Sequence, residues 1–425
     1  METIKINDNI SLHYIEMSKF KTNVVGVYLR RPLSEKEASK NAVLSYTLKS
    51  GCSTLSTTLE INKHLQNLYG ATLNSGVMKS GDNQVIFFDA ETISDKYAPD
   101  NENLTNELLN LLLNVIFKPL VKDNSFDKDI VNREKKTVID KIESLINDKR
   151  SYAQMRCNEE ICKDDVFALT KFGTKDAVNK IDEKNLFSHY EKIISSSQIN
   201  IFICGDANIN EACILIQNFI KNISFYKAEI PQTNIIKETP NKKDVTDKLD
   251  VTQGKLSIGF TTGISASQKD YPALVVANSI FGAGTHSKLF NNVREKLSLA
   301  YYASSSLNKF KGLLFVNAGI EFSNFDKAYE EIIIQLNALK KGEISDEEMS
   351  SSKNAIINSL NTYYDDQRYM QLYALDCIYL GISSDIEKYK NDILSITKED
   401  IIRVVPNIRE NTVYFLAGKN WQKGL

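Results

Sequence analysis

Residues 281–301 read FGAGTHSKLFNNVREKLSLAY, and this stretch combines three kinds of local pattern. An apolar helical pattern ends at Gly282, and a second glycine follows at Gly284. Closely spaced glycines at the end of a helix are typical of a tight turn between two helices. A strand pattern begins at Tyr301 and continues to Ser304. The stretch therefore predicts a helix, a turn, a second helical segment and a strand, in that order.

The same order of landmarks occurs in the first half of the chain. A strand with an internal glycine, Gly26, precedes a helix that ends at Gly51. In the second half, Gly259 lies in a strand that precedes the helix ending at Gly282, at nearly the same spacing. Repeated landmarks in a fixed order indicate a duplicated structural unit.

Each half also closes in the same way, with an apolar strand that ends in a glycine, at Gly205 and at Gly418. Between the halves, residues 226–250 contain prolines and a polar run, a composition typical of a linker. Strand and helix patterns alternate throughout the chain. We therefore predict an α+β fold with two similar domains, residues 1–225 and residues 251–425, joined by the linker.

Composition excludes several classes of protein. The chain has 425 residues and a formal net charge of −2, without a dense basic block, which argues against nucleic-acid binding through bulk positive charge. No apolar run approaches the ~18 residues of a membrane-spanning helix, and the N-terminal residues lack the pattern of a secretory signal. The six cysteines are dispersed. These features predict a cytoplasmic protein without a membrane segment.

A family resemblance rests on residues 41–89. A helix over residues 41–50 ends at Gly51, and a second helix begins with Thr57 and Glu60, which fit a capping box, and ends at Gly70. This order resembles the N-terminal segment of the insulinase/pitrilysin-type zinc peptidases, the inverzincins, whose first helix carries the zinc motif H-x-x-E-H. The resemblance implies half of a clamshell peptidase, with two domains that each contain a mainly antiparallel sheet packed with helices.

The zinc motif itself is absent. Counting back from Gly51, the three motif positions hold Ala42, Ser45 and Tyr46, none of which suits its role. Zinc needs imidazole or carboxylate ligands, and its water needs a carboxylate base. The family's third ligand is a glutamate seven residues after another acidic residue, and here Lys141 lies seven residues after Glu134. An ammonium repels a metal ion, so we expect no metal site and no cofactor.

Residues 281–301 carry the most specific part of the resemblance. They match the family's glycine pair, its Leu-Phe, and its Arg-Glu-Lys followed by Leu-Ala-Tyr. The resemblance implies that Arg294 binds substrate oxygens and that Tyr301 stabilises the oxyanion, roles that suit a guanidinium and a phenol. Tyr302 is the adjacent alternative to Tyr301. Gly282 and Gly284 are expected to permit a tight turn, with contact to the substrate backbone as the alternative.

Two hypotheses of function follow. In the first, this chain is the non-catalytic subunit of a heterodimeric zinc peptidase. It is inactive alone, and it supplies Arg294 and Tyr301 opposite the zinc site of a homologous partner that cleaves peptide substrates. Within the family, the overall pattern also resembles a bacterial pair linked to the aminopentanol modification of elongation factor P. In the second, it is a structural or peptide-binding scaffold of the same fold. In isolation it can form a homodimer.

Overall fold

The computed structural model describes residues 1–99, 102–237 and 242–422. The chain groups into two compact units. Unit 1 comprises Met1–Glu143, Leu169–Gln232 and Asp366–Asp376, and unit 2 comprises Ser144–Ala168, Thr233–Asp365 and Cys377–Leu425. Each unit therefore includes a short segment from the opposite half of the sequence. Residues 238–241, within the predicted linker, lie outside the described residues.

Unit 1 contains a six-stranded sheet in the order β1-β2-β8-β3-β5-β4. The pair β2 and β8 is parallel, and the other neighbours are antiparallel. The strands, including the separate two-stranded pair β6 and β7, are β1 (Glu2–Lys5), β2 (Ile10–Glu16), β3 (Thr22–Pro32), β4 (Thr72–Ser80), β5 (Asn83–Ile93), β6 (Val121–Lys122), β7 (Ser125–Phe126) and β8 (Gln198–Gly205).

Unit 2 contains a five-stranded sheet in the order β11-β12-β10-β13-β9. The pair β13 and β9 is parallel, and the other neighbours are antiparallel. The strands are β9 (Lys243–Leu249), β10 (Gly254–Thr261), β11 (Ala300–Asn308), β12 (Leu313–Ile320) and β13 (Arg409–Gly418).

The two sheets share one topology. The order β2-β8-β3-β5-β4 of unit 1 matches β9-β13-β10-β12-β11 of unit 2, with the parallel pair in the same place. The repeat landmarks also fall on matching strands, because Gly26 lies in β3 and Gly259 in β10, and Gly205 ends β8 as Gly418 ends β13. The predicted fold, two similar α+β domains with mainly antiparallel sheets, is confirmed.

Helices occupy most of the connections between strands. The capping box predicted at Thr57 and Glu60 is formed at the start of the second helix. The helices are α1 (Glu35–Lys49), α2 (Thr58–Asn67), α3 (Leu104–Phe117), α4 (Lys128–Ser144), α5 (Lys149–Ile161), α6 (Lys175–Asn179), α7 (Glu183–Ser196), α8 (Ile209–Ile220), α9 (Tyr271–Phe281), α10 (Phe325–Lys340), α11 (Asp346–Asn361), α12 (Gln367–Leu380), α13 (Ile386–Ser395) and α14 (Lys398–Val404).

The glycine in an interior strand of each sheet faces a helix from the other half of the sequence. A side-chain carbon added to Gly259 would lie 3.1 Å from Cys157 Sγ and 3.2 Å from Ile161 Cδ1, both on α5. A carbon added to Gly26 would lie 2.5 Å from the side-chain oxygen of Gln371, on α12. Gln371 also donates its Nε2–H to the Val24 carbonyl, at 2.9 Å. Glycine thus lets a helix lie directly on each sheet.

The predicted linker, residues 226–250, is partly a sheet strand. Residues 243–249 form β9, which pairs with β13 at the edge of the unit 2 sheet. Its side chains alternate between half-buried and exposed, so the strand has no apolar pattern to distinguish it from a polar connection. The domain boundaries at residues 225 and 251 stay a prediction. In the described ranges, no helix is long and apolar enough to cross a membrane.

A buried polar network connects α1, α7 and β5 in unit 1. His189 lies 2.7 Å from Asn41, with Nε2 as the donor to the amide oxygen, and Asn41 donates to Gln84 Oε1, also at 2.7 Å. Arg31 and Glu37 form an ion pair beside this network, at 3.1 Å. Burial lowers the pKa of His189 to about 4, although the Glu37 carboxylate acts in the opposite direction. His189 is therefore neutral at physiological pH.

We predict that His189 makes the protein acid-labile. Its folded pKa lies below the ordinary value of 6.5, so the stability contributed by the neutral ring is complete above pH 6.5 and is lost as the pH falls towards 4. The free energy of unfolding of the wild type should fall by about 3 kcal/mol more over this range than that of His189→Gln, which does not titrate. Urea unfolding at several pH values gives the free energy of unfolding of each protein. An equal decrease of this free energy with falling pH in the two proteins would contradict the prediction.

Candidate functional site

The three zinc-motif positions lie on α1, and their side chains belong to the core or lie at its border. Ala42 and Ser45 are completely buried. The Ser45 hydroxyl donates to the carbonyl of Ala42 at 2.8 Å, so its proton is used within the helix. Tyr46 is half-buried at the border of the core. None of the three side chains presents a metal ligand.

The structure brings Tyr46 and Lys141 together, although 94 residues separate them in sequence. The Lys141 ammonium lies 5.4 Å from the centroid of the Tyr46 ring, as a cation above an aromatic face. Burial, with a smaller contribution from the Glu134 carboxylate, raises the pKa of Tyr46. The phenol therefore stays protonated at neutral pH. The degenerate positions on α1 and α4 thus lie close together, but their side chains are a neutral phenol and an ammonium.

Glu134 is the one acidic side chain left at these positions, and its partners are other residues of unit 1. It is buried, accepts hydrogen bonds from Arg133 Nε at 2.7 Å and from Ser50 Oγ at 3.2 Å, and forms an ion pair with Arg133. Across the described parts of the chain, no group of three or more histidine, cysteine, aspartate or glutamate residues is arranged to hold a metal ion.

Arg294 lies on a short π-helix in unit 2. This helix spans Leu289–Lys296, and its wider turn is seen in the bond from the Leu297 amide to the Asn292 carbonyl. The Arg294 guanidinium lies 4.7 Å from the Phe290 ring centroid, and its Nε is 3.4 Å from a Glu295 carboxylate oxygen. The side chain remains 43% exposed. Arg294 is therefore partly fixed in position, with donors that still face solvent.

Tyr301 lies at an irregularity of β11. The pairing with β12 passes from Ala300 opposite Ile320 to Tyr302 opposite Gly319, so Tyr301 has no partner in the ladder. The residue is 58% exposed, and its hydroxyl donates to the Glu321 carboxylate. This hydrogen bond, with the negative charge of Glu321, raises the pKa of Tyr301. The hydroxyl thus keeps its proton at neutral pH.

Tyr302 has a different environment from its neighbour. Its ring lies against Gly319, where a side-chain carbon would approach it to 2.4 Å, and the Arg150 guanidinium lies 4.3 Å from its centroid. Burial raises the pKa of Tyr302 to about 12. Of the two tyrosines, Tyr301 has the more accessible hydroxyl. Glu321 and Arg150 were not identified from the sequence, because no local pattern connects them to the tyrosines that they contact.

The two candidate glycines have different surroundings. Gly282 is buried, and an added side-chain carbon would lie 2.7 Å from both Ser305 N and Leu289 Cδ1. Its carbonyl accepts a hydrogen bond from the Ser305 amide at 2.9 Å. Gly284 is exposed, with a φ of +139°, which strongly favours glycine. The two glycines thus allow α9 to turn close to β11, and Gly284 alone is open to solvent.

Comparison with known proteins places these features in a family. A family model described as "Peptidase M16 inactive domain" matches residues 180–356. A Bacillus subtilis protein described as "Probable inactive metalloprotease YmfF" is 34% identical over 413 residues, which cover 96% of this chain and 96% of that protein. The chain belongs to the M16 peptidase family. The predicted resemblance to insulinase/pitrilysin-type peptidases without their zinc motif is thereby confirmed.

Solved structures share the fold of this M16 protein. A conserved protein from Enterococcus faecalis has a TM-score of 0.90 at 26% identity and covers 99% of both chains. A Pseudomonas fluorescens structure described as a peptidase M16 inactive domain has a TM-score of 0.81 at 15% identity, again over 99% of both chains, and shows the fold alone. Together with the replaced ligands, the 34% identity to a protein described as a probable inactive metalloprotease makes the chain an inactive homologue of M16 metalloproteases.

We predict that restoring the family's ligands at the degenerate positions gives the chain a metal site. Replacing Ala42, Tyr46 and Lys141 with His, His and Glu restores the two histidines and one glutamate of a zinc site. We expect this triple variant to hold about one zinc ion per chain after dialysis. The wild type should retain almost none. Metal analysis by mass spectrometry measures both.

A matched control tests whether position matters. The control carries the same histidines at positions 42 and 46, keeps Lys141, and has Lys136→Glu instead. Lys136 lies on the same helix as Lys141 but is exposed. The control should bind zinc far more weakly than the triple variant. Equal zinc content in the two variants, or tightly held zinc in the wild type, would show that residues 42, 46 and 141 do not correspond to the family's ligands.

Proposed function

We propose that this M16 homologue is the non-catalytic subunit of a heterodimeric zinc peptidase. In this assignment Arg294 and Tyr301 form the substrate-binding wall opposite the zinc site of a homologous partner subunit. The substrates are unfolded peptides, and the chain alone has no peptidase activity. The six free cysteines, of which five are buried, support a reducing, cytoplasmic setting.

The replacement of the zinc ligands supports the non-catalytic part of this proposal. Water activation requires a metal ion or a general base in contact with the water. In unit 1 the corresponding positions carry a methyl group, a hydroxyl bonded to its own helix, a protonated phenol and an ammonium. These four side chains supply neither a Lewis acid nor a base, and the Glu134 carboxylate is engaged by Arg133 and Ser50, so in this proposal the metal and its water come from another chain.

Arg294 supports the substrate-binding part. A guanidinium offers several N–H donors in one plane, which suits a peptide carbonyl or carboxylate. The contacts with Phe290 and Glu295 use one side of the group and leave part of it in solvent. Because these contacts limit the side chain's freedom, less entropy is lost when a peptide binds.

Tyr301 supports the stabilisation of the transition state. A tetrahedral intermediate of peptide hydrolysis carries a negative oxygen, and a phenol that points at it donates a hydrogen bond. The hydroxyl of Tyr301 retains its proton at neutral pH and is exposed, although it donates to Glu321 in the unliganded chain. When substrate binds, the Tyr301 hydroxyl would donate to the oxyanion instead of to Glu321. Until then, the hydrogen bond to Glu321 keeps the hydroxyl protonated.

The observation that carries the proposal is the contrast between the two units. Unit 1 has lost the side chains for metal chemistry, whereas unit 2 presents an arginine and a tyrosine with exposed polar ends from a single segment, residues 294–301. A chain that served only as a scaffold would not require these polar ends. Their removal therefore separates the two hypotheses.

Arg294→Ala should impair a reconstituted pair. We expect kcat/KM for a fluorogenic peptide to fall about 10- to 100-fold when this chain, assembled with a zinc-bearing M16 subunit of the same organism, carries the substitution. Lys296→Ala is the matched control, because Lys296 is exposed on the same short helix. Gel filtration should show equal assembly for all variants. Full activity of Arg294→Ala in an intact pair would favour the scaffold hypothesis.

Tyr301→Phe should affect the chemical step more than substrate binding. Loss of an oxyanion donor is expected to lower kcat about 100-fold with little change in KM. Tyr302→Phe is the control, because it removes the neighbouring hydroxyl. A larger loss of kcat in Tyr302→Phe than in Tyr301→Phe would transfer the role to Tyr302.

A further inference from the structure

Two positively charged side chains of unit 2 meet at the ring of Tyr302, the residue after Tyr301. The Arg150 guanidinium, near the start of α5, lies 4.3 Å from the centroid of this ring. The Lys255 ammonium, from β10, lies 5.7 Å from the same centroid. Burial, and to a smaller extent the positive charge of Arg150, lowers the pKa of Lys255, in agreement with this closeness. We call these three side chains, Arg150, Lys255 and Tyr302, the cationic cluster.

The register of the unit 2 sheet explains why these side chains meet. Tyr302 of β11 and Lys255 of β10 both lie opposite Gly319 of β12. Residues directly opposite each other in antiparallel strands share one face of the sheet. This is the face on which α5 packs, because Lys255 also lies opposite Leu416, which belongs to the core beneath α5. Gly319 has no side chain, so the Tyr302 ring can lie over it and approach Lys255.

The two cations form hydrogen bonds with uncharged oxygens. Arg150 donates to the Ser304 hydroxyl at 3.0 Å, and the Lys255 ammonium donates to the side-chain oxygen of Gln253. Neither cation forms an ion pair with any residue that the structure describes. The carboxylate of Asp148 caps the N-terminus of α5, where it accepts hydrogen bonds from two backbone amides and a serine hydroxyl. The cluster therefore keeps its positive charge, and Arg150 is exposed.

The cationic cluster adjoins Tyr301 on the same face of the sheet. Tyr301 directly precedes Tyr302, so their Cα atoms are about 3.8 Å apart. The irregular pairing leaves Gly319 opposite this pair of residues and interrupts the alternation of faces. Glu321, which accepts the hydrogen bond from Tyr301, follows Gly319 by two residues, the spacing that returns a side chain to one face of a strand. A peptide held at Tyr301 therefore passes the cluster within one or two residues.

A groove between α5 and β11 extends from the cationic cluster. Its volume is about 400 Å³. Ser151, the neighbour of Arg150, lines the wall formed by α5, and Ser306 lines the wall formed by β11. Asn158 and Phe315 are also in its lining, and every lining side chain is uncharged. The groove thus has room for several atoms of a peptide, whereas the positive charge beside it comes from the cluster.

We propose that Arg150 and Lys255 bind a carboxylate of the peptide substrate beside Tyr301, with the adjoining part of the peptide in the groove. A carboxylate accepts hydrogen bonds from a guanidinium and an ammonium, and its negative charge offsets the repulsion between them. The carboxylate is either the C-terminus of the peptide or the side chain of an aspartate or glutamate. This proposal rests on the function proposed above and adds a feature of its substrate, a negative charge near the cleaved bond.

Binding to the full chain, without a partner subunit, tests the site directly. Three dye-labelled heptapeptides of otherwise uncharged sequence serve as probes: one with a free C-terminus, one amidated with a central glutamate, and one amidated with a central glutamine. Fluorescence anisotropy at low salt should show about 5- to 10-fold tighter binding of one or both carboxylate peptides than of the glutamine peptide. The preferred peptide identifies the source of the carboxylate. Equal affinity for all three would overturn the proposal.

Reversal of one charge separates recognition from folding. Arg150→Glu should abolish the preference for the carboxylate peptide and bind an amidated peptide with a central lysine more tightly than the wild type does. A misfolded variant would bind neither peptide. Lys255→Met should reduce the preference by about threefold or more. The control is Lys163→Glu, because Lys163 is exposed just beyond α5 and the substitution changes the net charge equally. It should leave all affinities unchanged, and an unchanged preference in Arg150→Glu would overturn the proposal.

A reconstituted pair shows whether the site acts in cleavage. There, Arg150→Glu should lower kcat/KM for the preferred carboxylate peptide about 5- to 10-fold, mainly through KM, and leave that for the glutamine peptide unchanged. An equal loss for both peptides would indicate a structural role and contradict the proposal. Full activity of Arg294→Ala would overturn the proteolytic assignment, whereas the affinities of the chain alone would still decide whether the cationic cluster binds a carboxylate.

Discussion

The structure depends on the absence of one side chain in an interior strand of each sheet. Gly259 in β10 lies against Cys157 and Ile161, and Gly26 in β3 lies against Gln371, at distances that an added carbon would crowd. A helix can therefore rest on the strand backbone itself. In unit 2, this places α5 on one face of the sheet, with a core that includes Phe315 and Leu416.

The opposite face of the unit 2 sheet shows why the strands are almost continuously apolar. There, alternate residues of the same strands, such as Val316 and Phe415, pack in a larger core. A sheet covered on both faces needs apolar side chains in both directions, which explains the buried patterns of β10, β12 and β13. These patterns are the reason that β10 and β13, the strands that contain Gly259 and Gly418, could be predicted from the sequence.

Other features depend on contacts that no local pattern encodes. The strand β9 was predicted as part of a linker, because its edge position leaves its side chains polar. The sequence left Tyr301 and Tyr302 as alternatives, and the irregular pairing at Ala300 and the contact of Tyr301 with Glu321 are products of the folded chain. The positions of Tyr46 and Lys141 were predicted from a family pattern, whereas their contact required the structure. Local periodicity predicts elements, and long-range packing decides which side chains meet.

The exchange of segments between the halves has a consequence for how the chain can be divided. Residues 144–168 complete unit 2, and residues 366–376 complete unit 1. A gene fragment that ends between the two repeats would therefore leave each glycine-bearing strand without the helix that covers it. Separate expression of either half should yield an unstable polypeptide with an uncovered sheet face. Mixing the two halves should restore the helix that covers each sheet. The repeated topology therefore does not correspond to two halves of the sequence that can be separated without loss of a covering helix.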